Sequence, residues 1–397
     1  MSRYFTARRT GLALLVSVVA AATGCTSEPS HEDVGAGGTS GVTSGTSGVT
    51  SGNSSGVTSG GSSGVTSGGS GGASSGVTSG NSSGVTGSAG SGGAGAGGGN
   101  PEGKLFVGYY QTWSDSWKAD GADTVLARLP AYVNVVNLSF AQPDMNYAVG
   151  SLSLSGTGIG LPYDGPTLKA AVAALHQKNP GTRVMLSVGG ATFPNFASFN
   201  TGAIAAFVKD FGLDGVDIDY EPANPSCTVV GGTVSCPSDA EYVSVVKSMR
   251  AALPAPHWIS IAAFSVGAYG EGAWASAPPS SAYGGISLAV LKQAASSLDL
   301  VNVMSYDAGP AFDPVQALHA YQHYFSGRIA MGVEVPPEAW GGHIETVAEI
   351  ETLAGAVNAS GAAGMMLWSI QKPGPAQEFA TAMCLGLALG GCDTPML

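Results

Sequence analysis

The sequence predicts an α/β fold, a (β/α)8 TIM barrel, preceded by a signal peptide and a disordered Gly/Ser/Thr-rich linker. Three observations point there. Eight short apolar, β-branched or aromatic runs follow one another between residues 104 and 370, and amphipathic helical patterns separate most of them. Such alternation favours parallel strands. The foldable part, residues 103–397, is close to the size of a single eight-stranded barrel. No GxGxxG follows the first run, which disfavours an open doubly wound sheet.

Taken in order, residues 1–24 carry Arg3, Arg8 and Arg9, then an apolar run from Leu12 to Ala22. This is the layout of a secretory signal, and it is too short to suggest a transmembrane span. The ending AATGC resembles a bacterial lipobox, with Cys25 as the lipid-bearing residue. The expectation is an exported outer-membrane or cell-surface lipoprotein, with plain signal cleavage and secretion as the alternative. Residues 25–102 are a low-complexity segment in which GVT recurs at 41, 48, 56, 64, 76 and 84. One valine per repeat cannot bury a core, so a flexible tether is expected, with an r.m.s. reach of about 40–48 Å.

The eight strand candidates are 104–110, 132–140, 182–188, 215–220, 258–264, 300–306, 328–333 and 364–370. Helices are expected at 166–177, 204–211, 240–252, 288–297, 314–325 and 344–358. Five cysteines is an odd count for an exported chain. Assigning Cys25 to lipid leaves Cys227 with Cys236 and Cys384 with Cys392, two local pairs suited to disulfides.

The fourth run, DGVDIDYE (214–221), holds the chemistry. Side chains alternate along a strand, so Asp217, Asp219 and Glu221 share one face while Val216, Ile218 and Tyr220 share the other. Three carboxylates in a row resist desolvation and raise the cost of ionising one another. In a barrel of this kind the active site lies at the C-terminal strand ends. The other ends offer Tyr109 and Trp113, Ser139-Phe140, Ser187 with Gly189-Gly190, Met304 to Asp307, and Trp368. Aromatic faces with a few polar groups suit a sugar ring.

SVGG (187–190), DGVDIDYE (214–221), MSYD (304–307) and LW (367–368), in this order and at these strand positions, resemble glycoside hydrolase family 18, the chitinase family. The resemblance covers about residues 104–372. It implies substrate-assisted hydrolysis, in which the substrate's own acetamide is the nucleophile. Glu221 would be the general acid and then base. Asp219 would orient the acetamide, and Asp217 would pair with Asp219 and share a proton. Tyr306 would donate to the acetamide oxygen, Asp307 would bind a sugar hydroxyl, and Trp368 would floor the reacting ring. Ser187 and Asp214 would support the acidic row together with Gly189 and Gly190. Tyr109 and Trp113 would form subsite walls, though Tyr109 equally suits the barrel core. Met304 would contact the substrate, and Phe140 would either do so or pack beside the site. Trp117, Trp274 and Trp340 either stack sugars or pack on the surface.

Two departures stand out. SIQKPG after Trp368 lacks the acidic residue often found there in relatives. Only about 30 residues (334–363) separate the seventh and eighth runs, too few for the α+β insertion of processive relatives. A small bacterial-type barrel with an open cleft and endo-type cutting is the expectation.

The substrate expected is chitin or a chito-oligosaccharide. An endo-β-N-acetylglucosaminidase acting on N-glycan cores is the enzymatic alternative, and a chitin-binding lectin the non-enzymatic one. Formal charge is −12, and removal of three leader arginines makes it −12 − 3 = −15, which argues against nucleic acid. Membrane contact is expected only through Cys25, and the protein is expected to be a monomer. No cofactor or metal is implied: His319 and His323 are one helical turn apart but lack an accompanying acid, so a solvated helix face is expected.

Overall fold

The computed structural model describes residues 103–337 and 344–397. The leader, the tether, Cys25, Trp340 and His343 lie outside the described residues. Ten strands are present among them: β1 (Leu105–Gln111), β2 (Val135–Ala141), β3 (Arg183–Gly189), β4 (Gly215–Asp219), β5 (Thr228–Val230), β6 (Thr233–Ser235), β7 (Trp258–Phe264), β8 (Leu300–Met304), β9 (Arg328–Glu334) and β10 (Gly364–Trp368). Eight of them close a parallel barrel in the order β1-β2-β3-β4-β7-β8-β9-β10, with β10 pairing back onto β1. β5 and β6 form a separate antiparallel hairpin between β4 and the following helix.

The helices are α1 (Val125–Arg128), α2 (Gly165–Lys178), α3 (Thr201–Phe211), α4 (Asp239–Ala252), α5 (Leu288–Gln293), α6 (Pro314–Tyr324), α7 (Val347–Ala359) and α8 (Ala376–Gly386). Their limits follow local chemistry. Asp164 caps α2 with Pro166 in the first turn, Gly212 ends α3 in the left-handed conformation, and Thr346 with Glu349 forms a capping box on α7. The helix expected at 288–297 is shorter than its pattern and ends in a 3-10 turn, Ala295–Ser297.

Period-two alternation sorts the core into two layers. Val216, Ile218 and Tyr220 face outward into the apolar layer beneath the helices, while Leu105, Val107, Met185, Trp258, Leu300 and Met366 fill the barrel. Trp258 plugs the N-terminal end, between the Arg183 and Arg328 guanidiniums at 4.3 and 5.0 Å. Cys227–Cys236 closes the β5–β6 hairpin, and Cys384–Cys392 ties the end of α8 to the C-terminal residues. Between β9 and β10 the described residues carry α7 and no strand.

Candidate active site

Strand register builds the acidic site from below. Ser187 of β3 lies beside Asp217 of β4, which lies beside Ser260 of β7. Asp217 is fully buried, yet both of its oxygens are saturated. Tyr109 Oη and Ser187 Oγ donate to Oδ2 at 2.8 and 2.9 Å. Ser260 Oγ and Asn302 Nδ2 donate to Oδ1 at 2.6 and 3.1 Å. Burial raises the Asp217 pKa, and all four donors oppose that rise.

Asp219, one layer higher, is hydrogen-bonded to Glu221 and not to Asp217. This corrects the expected Asp217–Asp219 pair: the four donors leave Asp217 without a position for a third carboxyl oxygen. Burial, and then the charges of Glu221 and Asp217, hold the Asp219 pKa well above the carboxylate range. Its Oδ1 is buried without a hydrogen-bond partner. Burial pushes Glu221 up to about 7, and the Asp307 charge adds to the rise. Hydrogen bonds from Asp219 and the Ala191 backbone N–H oppose it. The pair therefore retains a proton close to neutral pH.

Asp214 is the second correction. It precedes β4 and lies about 10 Å along the strand from Asp217, at the N-terminal end of the barrel. Its Oδ2 accepts from the Val184 N–H at 2.7 Å and contacts His176 Nε2 of α2 at 2.9 Å. It fixes the β3–β4 edge and does not touch the acidic row.

The two glycines of SVGG act through close approach. A Cβ on Gly189 would lie 2.2 Å from the Asp219 carbonyl oxygen, and one on Gly190 would lie 2.9 Å from the Phe140 ring. Both have positive φ, +112° and +73°. Gly190 N–H also donates to the Asp219 carbonyl at 2.8 Å.

Above these residues lies a cleft of about 730 Å³ lined by Tyr109, Trp113, Phe140, Asp219, Glu221, Met304, Tyr306, Asp307 and Trp368 among others. Trp368 stacks on Phe140 with centroids 5.6 Å apart, and Phe140 stacks on Trp113 at 6.0 Å. Tyr109 meets Trp368 edge-on at 5.8 Å. The body of Tyr109 lines the cleft and its hydroxyl anchors Asp217. Tyr306 is buried, and burial together with the charges of Glu334 and Asp219 keeps its phenol protonated, hence a donor. Asp307 has φ +52° and turns the chain into the cleft after β8.

Of the loop aromatics, Trp117 is 67% exposed, whereas Trp274 packs its ring on His323 at 5.1 Å. Ser260, Asn302, Phe264 and Tyr283 are site residues that the motifs did not single out. The first two had a signal: each is a polar side chain at an inward position of an apolar strand. Tyr283 had none, because it lies in a loop.

The family model described as Glycosyl hydrolases family 18 matches residues 105–333, more than half of the chain. A curated relative, a chitinase from Plasmodium falciparum (isolate 3D7), is 35% identical over 129 residues, which cover 30% of this chain and 32% of the relative. The match therefore spans about a third of that relative's length. A family 18 chitinase structure from Chromobacterium violaceum has a TM-score of 0.52 at 19% identity, covering 72% of this chain and 83% of the other. The group IV chitinase of Ostrinia furnacalis gives 0.51 at 15%, covering 72% and 100%. A family 18 chitinase from Pseudoalteromonas aurantia gives 0.50 at 22%, covering 71% and 99%. At these identities the solved structures show a shared fold, whereas the family match spans the strands that carry the acidic row, the SVGG turn and MSYD. The chain belongs to glycosyl hydrolases family 18.

Proposed function

We propose that the protein hydrolyses β-1,4 bonds between N-acetylglucosamine units in chitin, with retention, through the substrate's 2-acetamido group. The observation that carries this reading is the Asp219–Glu221 pair. Two buried carboxyls share a hydrogen bond and keep a proton near neutral pH, and Asp219 Oδ1 has no partner. An unpaired buried acceptor is costly. The N–H of an acetamide would satisfy it.

In the first step Glu221 gives its proton to the bridging oxygen as the C1–O bond breaks. The acetamide carbonyl oxygen attacks C1 from the opposite face and forms an oxazolinium ring. Asp219 accepts from the acetamide N–H and offsets the developing positive charge, while the Tyr306 hydroxyl donates to the acetamide oxygen and holds it in line. Water then attacks C1, gives its proton to the Glu221 carboxylate and reopens the ring. Two inversions at C1 leave the configuration retained. Trp368 provides the apolar floor on which the reacting ring lies. The curated relative's name, chitinase, supports chitin over the core of an N-glycan.

The test is hydrolysis of N-acetylglucosamine hexamer and of a high-mannose glycoprotein by wild type and Glu221→Gln. Wild type should cleave the hexamer with the β-anomer as the first product, and the variant should lose about 10²–10⁴-fold in kcat. Undiminished activity in Glu221→Gln would sink the mechanism. Glycan release without hexamer cleavage would favour the N-glycan reading.

A further inference from the structure

We propose that Phe264 and Tyr283 form the platform for the leaving sugar, and that the disulfide-closed β5–β6 hairpin holds this platform beside Glu221. The proposal rests on the glycosidase reading above. A general acid sits against the bridging oxygen, so one sugar ring lies on each side of it. Trp368, on β10, serves one side. Counted around the barrel β4-β3-β2-β1-β10, it stands four strands from the acidic row, which is across the mouth.

The other side is built differently. Phe264 ends β7, the strand hydrogen-bonded to β4. Its ring stacks on Tyr283 with centroids 4.0 Å apart and planes 25° from parallel. Both residues are half-buried, and both line the cleft. Tyr283 Oη donates to the carbonyl of Pro222, the residue after Glu221, at 3.2 Å. The Glu221 charge is close enough to raise the Tyr283 phenol pKa, after the effect of burial. Neither aromatic belongs to the Trp368 stack.

Tyr283 sits on the long β7–α5 connection, whose one regular piece is a 3-10 turn, Gly272–Trp274. On one side of Tyr283 the connection holds itself, with Gly285 N–H and Ser287 N–H donating to the Val266 and Gly267 carbonyls at 3.1 and 2.9 Å. On the other side the hairpin adds its contacts. Cys227 N–H donates to the Ala282 carbonyl at 3.3 Å. Val234 fills the space that glycines leave open: a Cβ on Gly270 or Gly285 would lie 2.6 Å from its methyls. Val234 N–H donates to Glu271 Oε1 at 2.8 Å, and Lys292 holds the other Glu271 oxygen at 2.5 Å. Two three-residue strands are too short to hold their own shape, so the Cys227–Cys236 bond supplies the stiffness.

The experiment compares two substrates: N-acetylglucosamine tetramer, and the disaccharide oxazoline, which has no leaving sugar. Tyr283→Ala should raise the oxazoline-to-tetramer ratio of kcat/KM about tenfold, mainly through the KM for tetramer. Tyr283→Phe should return the ratio to wild type. Cys227→Ser with Cys236→Ser should shift it in the same direction, with the melting transition recorded to show that the barrel remains folded. An unchanged ratio in Tyr283→Ala overturns the platform. A changed ratio there with none in the cysteine variant overturns the hairpin's role. Should wild type cleave neither substrate, the glycosidase reading fails by itself, and calorimetric binding of tetramer decides the platform: equal affinity of wild type and Tyr283→Ala rejects it.

Discussion

Asp217 shows how a carboxylate can sit in an apolar barrel: four donors from β1, β3, β7 and β8 converge on its two oxygens. Its neighbours up the strand have fewer donors, so burial raises their proton affinity with less to oppose it. This has a consequence for stability. Glu221 is raised from an ordinary value of 4.5 to about 7, so between those values the folded protein holds a proton that the unfolded chain releases. Stability from this group is fully present below the unfolded value and is lost as pH rises through about 7, a loss of about 3 kcal/mol. Glu221→Gln removes the titration. Its melting temperature relative to wild type should therefore be higher at pH 8.5 than at pH 5, and wild-type kcat/KM should fall along an alkaline limb near pH 7. A pH-independent difference in melting temperature would reject this account. The three carboxylates were legible from the alternation in DGVDIDYE. Their partners were not, since which oxygen bonds which donor depends on register between strands far apart in sequence.

The loop after β10 explains one departure from the family pattern. SIQKPG lacks an acid after Trp368, but Lys372 from this loop reaches Glu334, the last residue of β9, and also the Pro337 carbonyl at 2.7 Å. Glu334 is 2% exposed and lies in register with Trp368. The ammonium thus ties the loop that follows Trp368 to the neighbouring strand. Lys372→Ala leaves a buried carboxylate without that cation and should cost about 3 kcal/mol. Adding Glu334→Gln should recover part of the loss, because the buried carboxylate that Lys372 served is then neutral. Additive melting data from the two single variants and the double would show that the pair is uncoupled. Strands and most helices were readable because β-branched runs and amphipathic stretches alternate cleanly. The hairpin and the limits of α8 were not: three-residue strands carry almost no periodic signal, and the eight-fold barrel calls for a helix after β10, yet no pattern at 376–386 was singled out for it.

At the scale of the whole molecule, the barrel was predicted by element count and spacing, and the position of its site followed from strand polarity. The shape of the cleft depends on what rises around it. The β9–β10 connection gives α7 among its described residues, and the SVGG side contributes the short stretch Ala191 to Pro194. The walls that do rise are Trp113 near one end and the Phe264–Tyr283 pair on the side of β7. A cleft lined by aromatics on both sides of Glu221, with no strand-bearing insertion among the described residues, can receive the middle of a polymer as readily as its end. Cutting should therefore be of the endo type. Early digestion of N-acetylglucosamine hexamer should give dimer, trimer and tetramer together, and the viscosity of a soluble chitin derivative should fall well before reducing ends accumulate. Stepwise release of disaccharide from one end of the hexamer, with viscosity falling only in proportion to bonds cut, would mean that one side of the cleft is closed to the chain.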